Sequence, residues 1–150
     1  MSNRLADLMD NLTTHIKQQF SFLEDLKQVL ETELTLISSR DPESLINLLK
    51  KKEELLDNIQ KQDGIITTVF QNTDPSHRQS LEIQTLFDQA NDLVSQCKYR
   101  TEINKTAVEQ GQLRLEHLRN LLLESRAKES LTYDKSGKTQ GSLLGRNINA

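Results

Sequence analysis

At 150 residues with a formal net charge of −3, the chain is one modest domain, and its weakly acidic balance argues against nucleic acid as the main partner. Only 35% of residues are hydrophobic and 4% aromatic, none is Trp, and 27% are charged. That mixture excludes a deep globular core and suits long helices that share narrow apolar seams.

The first helix is expected over 2–38. Leu5, Leu8, Leu12, Ile16, Phe20, Leu23, Leu26, Leu30, Leu34 and Ile37 recur every three or four residues, with Asp, Gln, Lys and Glu between them. Ser2 or Asn3 can cap it. Ser38-Ser39-Arg40-Asp41-Pro42 then breaks the pattern. Asp41 is a good N-cap and Pro42 suits the first helical position, where no amide hydrogen is needed. The short loop turns the second helix back antiparallel.

The second helix is expected over 42–70, on Leu45, Leu48, Leu49, Lys52, Leu55, Leu56, Ile59, Ile66, Val69 and Phe70. Lys50-Lys51-Lys52-Glu53-Glu54 reads as a solvated face with neighbouring opposite charges. Gly64 costs about 1 kcal/mol against Ala inside a helix, where it can end the helix early, mark a kink or be passed through, the last being the reading favoured. Asn72-Thr73-Asp74-Pro75 repeats the Asp-Pro start.

The third helix is expected over 75–130 without a break, a rod of roughly 80 Å at 1.5 Å per residue. Its stripe runs Ile83, Leu86, Ala90, Leu93, Cys97, Thr101, Asn104, Val108, Gly111, Leu115, Leu118, Leu122. Leu81, Phe87, Val94, Ile103, Ala107, Leu113 and Leu121 widen it. It outspans the first two helices, so it either overhangs them or bends, with Gly111 the weak point. Leu115, Leu118 and Leu122, flanked by Leu121, have the i, i+3, i+7 spacing by which one helix docks in another's groove. The same leucines can equally close the bundle end or a dimer seam.

Residues 131–150 shift to Gly, Ser, Thr, Asn, Lys and Arg, too polar to offset ordering entropy. A flexible tail is expected there, with Leu131, Tyr133, Leu143, Leu144 and Ile148 as a short recognition segment. The fold expected is thus all-α: three long helices in an antiparallel coiled-coil-like bundle over 1–130, with a flexible tail over 131–150.

Chemistry is sparse. His15, His77 and His117 never share metal-ligand spacing with each other or with Cys97, so no metal is expected. Cys97 lies on the apolar stripe and reads as a small buried thiol. As the one cysteine it rules out an internal disulfide and fits a reducing compartment. Ser136-Gly137-Lys138-Thr139 imitates a phosphate-binding loop, but Thr132 stands where the first Gly should be and a helix precedes it. No cofactor and no enzyme activity are expected. The opening MSNRLADLMDNL is not a signal peptide, and no run approaches the ~20 apolar residues of a membrane span. The cytoplasm is the expected location.

In this order and spacing the segments resemble the FlgN family of flagellar export chaperones. The likeness covers nearly the whole chain: a first helix opening near RLADLMDNL, the run LLKKKEELLDNI, the helical stretch CKYRTEINKTAVEQGQLRLEHL, and the tail TYDKSGKTQGS with Tyr133, Asp134, Gly137 and Thr139. Lys105 departs from the family, many members having Gly after the Asn. The resemblance implies a cytoplasmic, non-enzymatic chaperone of type III secretion. Its clients would be the disordered C-terminal ends of the hook–filament junction proteins FlgK and FlgL, which it keeps from associating early. It would deliver them to the export gate protein FlhA. The resemblance carries client binding onto the Leu113–Leu123 region of the third helix, and the client-binding residues expected are Ile103, Val108, Leu113, Leu115, Leu118, Leu121 and Leu122. Gate docking it carries onto Tyr133. The free protein would be a monomer or weak homodimer. The competing reading is a structural coiled-coil scaffold, dimerising through the third helix without client transfer.

Overall fold

The structure is a computed structural model that describes the backbone over residues 2–135 and side chains over 11–131. The described chain forms four helices: α1 (Ser2–Ile37), α2 (Pro42–Asn72), α3 (Pro75–Arg78) and α4 (Leu81–Lys135). It divides into two compact units, Met1–Ala107 and Val108–Ala150.

Both Asp-Pro starts behave as local chemistry dictates. Asp41 caps α2: the Ser44 amide donates to its Oδ1 at 3.1 Å and the Ser44 hydroxyl to its Oδ2 at 2.6 Å. Asp74 caps α3 by accepting from the Ser76 amide at 3.3 Å. Pro42 and Pro75 occupy first-turn positions. The third long helix does not begin at Pro75, however. α3 lasts one turn, and the Ser80 amide closes back on the His77 carbonyl at 3.1 Å. Ser80 then receives the Ile83 amide on its own hydroxyl at 3.4 Å. A hydroxyl that satisfies an orphan amide lets a new helix start, so the expected unbroken helix over 75–130 is replaced by α3 and a separate α4. Gly64 and Gly111 both lie inside continuous helix.

The first unit is an up-down-up bundle. His15 pairs with Gln62, Gln19 with Ile59 and Glu33 with Lys52, so α2 runs antiparallel to α1. Leu23 pairs with Cys97 and Leu30 with Asn104, both 74 residues apart, so α4 runs parallel to α1. The two pairs lie one heptad apart on each helix, the repeat of a coiled-coil seam.

That repeat decides which side chains are buried. On α1 the seam is Leu12, Ile16, Gln19, Leu23, Leu26, Leu30 and Glu33. Leu12, Ile16, Leu30 and Ile83 are fully enclosed, each such burial stabilising by about 1.5–3 kcal/mol relative to exposure. Leu12, Ile16, Ile66 and Ile83 form one cluster with Phe20, Val69, Phe70, Leu86 and Phe87 around it. Phe70 meets Phe87 edge-to-face at 5.6 Å, and the Arg78 guanidinium lies 5.4 Å above the Phe70 ring. A second cluster joins Leu26, Leu30 and Cys97, with Ile59 packed on it.

Several expectations change here: Leu49 and Leu56, placed on the α2 stripe, are exposed, because the narrow seam takes only Leu55, Gln62 and Ile66 of that helix into full burial. Leu34, placed on the α1 stripe, is 37% exposed, and Glu33 takes the seam position instead. Leu81, placed among the apolar residues of the third helix, is exposed at the start of α4. Lys52 is not part of a wholly solvated face: its ammonium bonds both Glu33 carboxylate oxygens, at 3.2 and 3.3 Å. Lys50 and Lys51 remain exposed. Glu33, Asn104 and Gln62 find side-chain or carbonyl partners, and Gln19 donates through its Nε2 while its Oε1 stays buried without a partner.

Candidate partner-binding surface

Along α4 the same three-four repeat changes character. Ile83, Cys97 and Asn104 are buried. The next positions of the repeat are Val108, Gly111, Leu115, Leu118 and Leu122. Of these Leu115 is 68%, Leu118 53% and Leu122 57% exposed, and Leu113 and Leu121 are exposed too. Single exposed leucines are ordinary, but here Leu115, Leu118 and Leu122 share one line along the helix, with Leu121 to its side and Leu113 on the opposite face, and an aligned exposed line is of the kind that takes a partner. Leu123 is half-buried.

The seven residues expected to bind clients therefore fall in two places. Ile103 is half-buried within the first unit. Val108, Leu113, Leu115, Leu118, Leu121 and Leu122 lie exposed in the second. α4 extends past the expected end at residue 130 to Lys135, so the backbone of Tyr133 is helical. The Tyr133 side chain lies outside the described residues, as do Leu143, Leu144, Ile148 and the Ser136–Thr139 imitation of a phosphate loop.

The first unit offers a feature the sequence did not announce. An apolar groove of about 530 Å³ opens between α2 and α4 over the α1 seam, lined by Leu26, Leu56, Ile59, Val94 and Cys97. Its signal was Leu56, one residue beyond the buried Leu55 on a helix whose stripe is wider than one seam needs.

Catalytic chemistry finds little to work with among the described residues. Cys97 is buried, its Sγ 3.7 Å from the Leu23 carbonyl. Burial pushes its thiol up, against the pull of Lys27 and Arg100, which is the opposite of nucleophile activation. His15 lies beside Gln62, whose amide donates to the His15 carbonyl at 2.9 Å; His77 is half-buried and His117 exposed. No His, Cys, Asp and Glu cluster suited to a metal occurs among the described residues. No described helix is long and apolar enough to cross a membrane.

Neither the curated proteins nor the solved structures include a significant match to this chain. The family model described as FlgN protein matches residues 1–141, nearly the full length. With its all-α bundle and long C-terminal helix, the chain belongs to the FlgN family of flagellar export chaperones.

Proposed function

We propose that the chain binds the disordered C-terminal ends of FlgK and FlgL in the cytoplasm, keeps them from associating early, and hands them to the export gate protein FlhA. Residues 1–130 act as the chaperone domain, and residues 131–150 carry the delivery function through Tyr133. The observation behind this reading is the exposed leucine line Leu115, Leu118 and Leu122, with Leu121 beside it. An amphipathic client segment can shelter its apolar side on such a surface while its charges stay in water. A segment that orders on binding gives up some affinity for the ability to be released, which suits a carrier.

The reading is tested by titrating the full chain with C-terminal peptides of FlgK and FlgL, and separately with the cytoplasmic domain of FlhA. Saturable binding of both peptides is expected, with Tyr133→Ala weakening the FlhA interaction alone. Equal loss of both interactions in Tyr133→Ala rejects the division of labour. A stable dimer in light scattering that ignores both peptides favours the scaffold.

A further inference from the structure

Charge on the leucine-bearing half of α4 is sorted by face. At about 100° per residue, Leu115, Leu118 and Leu122 define a line along the helix. Arg119 and Arg126 fall beside that line on one flank and Arg114 on the other, each within about 70° of it. Glu109, Glu116 and Glu124 fall on the far side of the helix, and Glu129 returns to the line and ends it. All three arginines are exposed, and among the described residues none of them forms an ion pair. A chain of net charge −3 thus borders this exposed apolar line with cations.

We propose that the occupant of this face is an amphipathic helix whose apolar side is flanked by carboxylates. The inference rests on the client reading above and adds the chemistry that selects the client. A helix laid on Leu115, Leu118 and Leu122 brings its own flanking positions opposite Arg114, Arg119 and Arg126, as e and g positions meet across a coiled coil. Guanidinium groups are well suited to that contact, because they hold carboxylates by two parallel bonds while their stems extend the apolar floor. The same arrangement discriminates by repulsion. A lysine-flanked helix meets like charge, and so does a second copy of this chain, which brings the same three arginines to a two-fold contact. Nucleic acid would use the cations but leave the leucines wet.

The test uses two synthetic helical peptides of three heptads with the same leucine face, one with Glu and one with Lys at the flanking positions. Each is labelled and titrated by fluorescence anisotropy against the full chain. The Glu peptide is expected to bind about tenfold or more tightly near 50 mM salt, the gap shrinking near 1 M, where charges a few ångströms apart are screened. The triple variant R114E/R119E/R126E should reverse the preference with its circular dichroism unchanged, since all three side chains are exposed. Equal binding of the two peptides overturns the inference, as does a preference that survives the triple reversal, or binding of neither. If FlgK and FlgL peptides still bind through Leu118 and Leu122 in those cases, the client reading stands alone. If Leu118→Asp with Leu122→Asp leaves every peptide bound, the client reading falls as well.

Discussion

Asn104 donates from its side-chain amide to Glu33 Oε2 at 3.0 Å and to the Leu30 carbonyl at 3.0 Å, so α4 is fastened to α1 by a buried polar contact. Glu33 in turn receives Lys52 from α2, which makes one layer of the seam a three-helix polar junction. Two heptads earlier a second polar layer repeats the device: Gln19 donates to the Ile59 carbonyl at 3.0 Å and Gln62 to the His15 carbonyl at 2.9 Å. Such layers stabilise little by themselves, but a slipped register leaves their groups unpaired, and that cost selects one alignment.

Glu33 is the centre of that junction, since its loss takes a partner from both other members. Glu33→Ala is expected to cost about 1–3 kcal/mol, because Lys52 loses its ion-pair partner and Asn104 keeps only the Leu30 carbonyl. The Glu33→Ala and Asn104→Ala cycle, read by urea unfolding, should return a coupling of about 0.5 kcal/mol or more. Additive losses would mean the layer is a coincidence of packing.

The sequence announced the helices because their signals are local. Asp-Pro starts and three-four spacing need only neighbours, and Asp41-Pro42 behaves as expected. What it hid depends on partners distant in the chain. Glu33 and Gln19 look like surface residues until Asn104, Lys52 and Ile59 are brought beside them. Following apolar residues alone drew the stripe through Phe20 and Leu34, whereas the strict heptad runs through Gln19 and Glu33. The break at Ser80 was missed because a Ser cap without a following Pro is a weak signal. The leucine patch was legible as spacing, but whether it faced the bundle or solvent was not, since both uses of a helix face share one repeat.

The Asp41 cap makes a pH-dependent contribution. Two bonds from Ser44 hold the Asp41 carboxyl below the ordinary carboxylate range, so the folded chain binds that proton less readily than the unfolded chain. Its stabilisation is present above the ordinary value near 3.8 and is lost as pH falls through the depressed folded value. Asp41→Asn keeps a capping oxygen without the charge. The melting-temperature gap between native chain and variant should be widest near neutral pH and close in acid; a gap independent of pH would assign the cap no ionic component.

Cys97 has the opposite linkage. Its buried thiol keeps its proton longer than an exposed one, so stability is full below 9.0 and declines as pH rises past it. Labelling by a thiol reagent at pH 8 should be slow in the native chain and fast in urea. Rapid native labelling would show that the bundle opens locally around the Leu23 carbonyl contact.

Gly64 lies mid-helix, and a Cβ built there meets nothing within 4 Å. Gly64→Ala should therefore stabilise the first unit by about 0.5–1 kcal/mol, through lower entropy of the unfolded chain. A shift of the urea midpoint upward without change of slope is the expected reading. Destabilisation would show that the position needs freedom the continuous helix does not display.

Leu118 and Leu122 separate a client surface from a structural one. Both are more than half exposed, so replacing them by Asp removes little buried area, and stability should stay within about 0.5 kcal/mol of the native chain. The same two charges set in the middle of a docked apolar face would lose their water against a client helix, a cost large enough to abolish micromolar binding. Leu118→Asp with Leu122→Asp is thus expected to keep full helical circular dichroism and to lose the FlgK and FlgL peptides. Loss of helicity in the double variant would assign those leucines to the folding of α4 or to a self-contact, and the client surface would have to be sought elsewhere, beginning with the groove between α2 and α4.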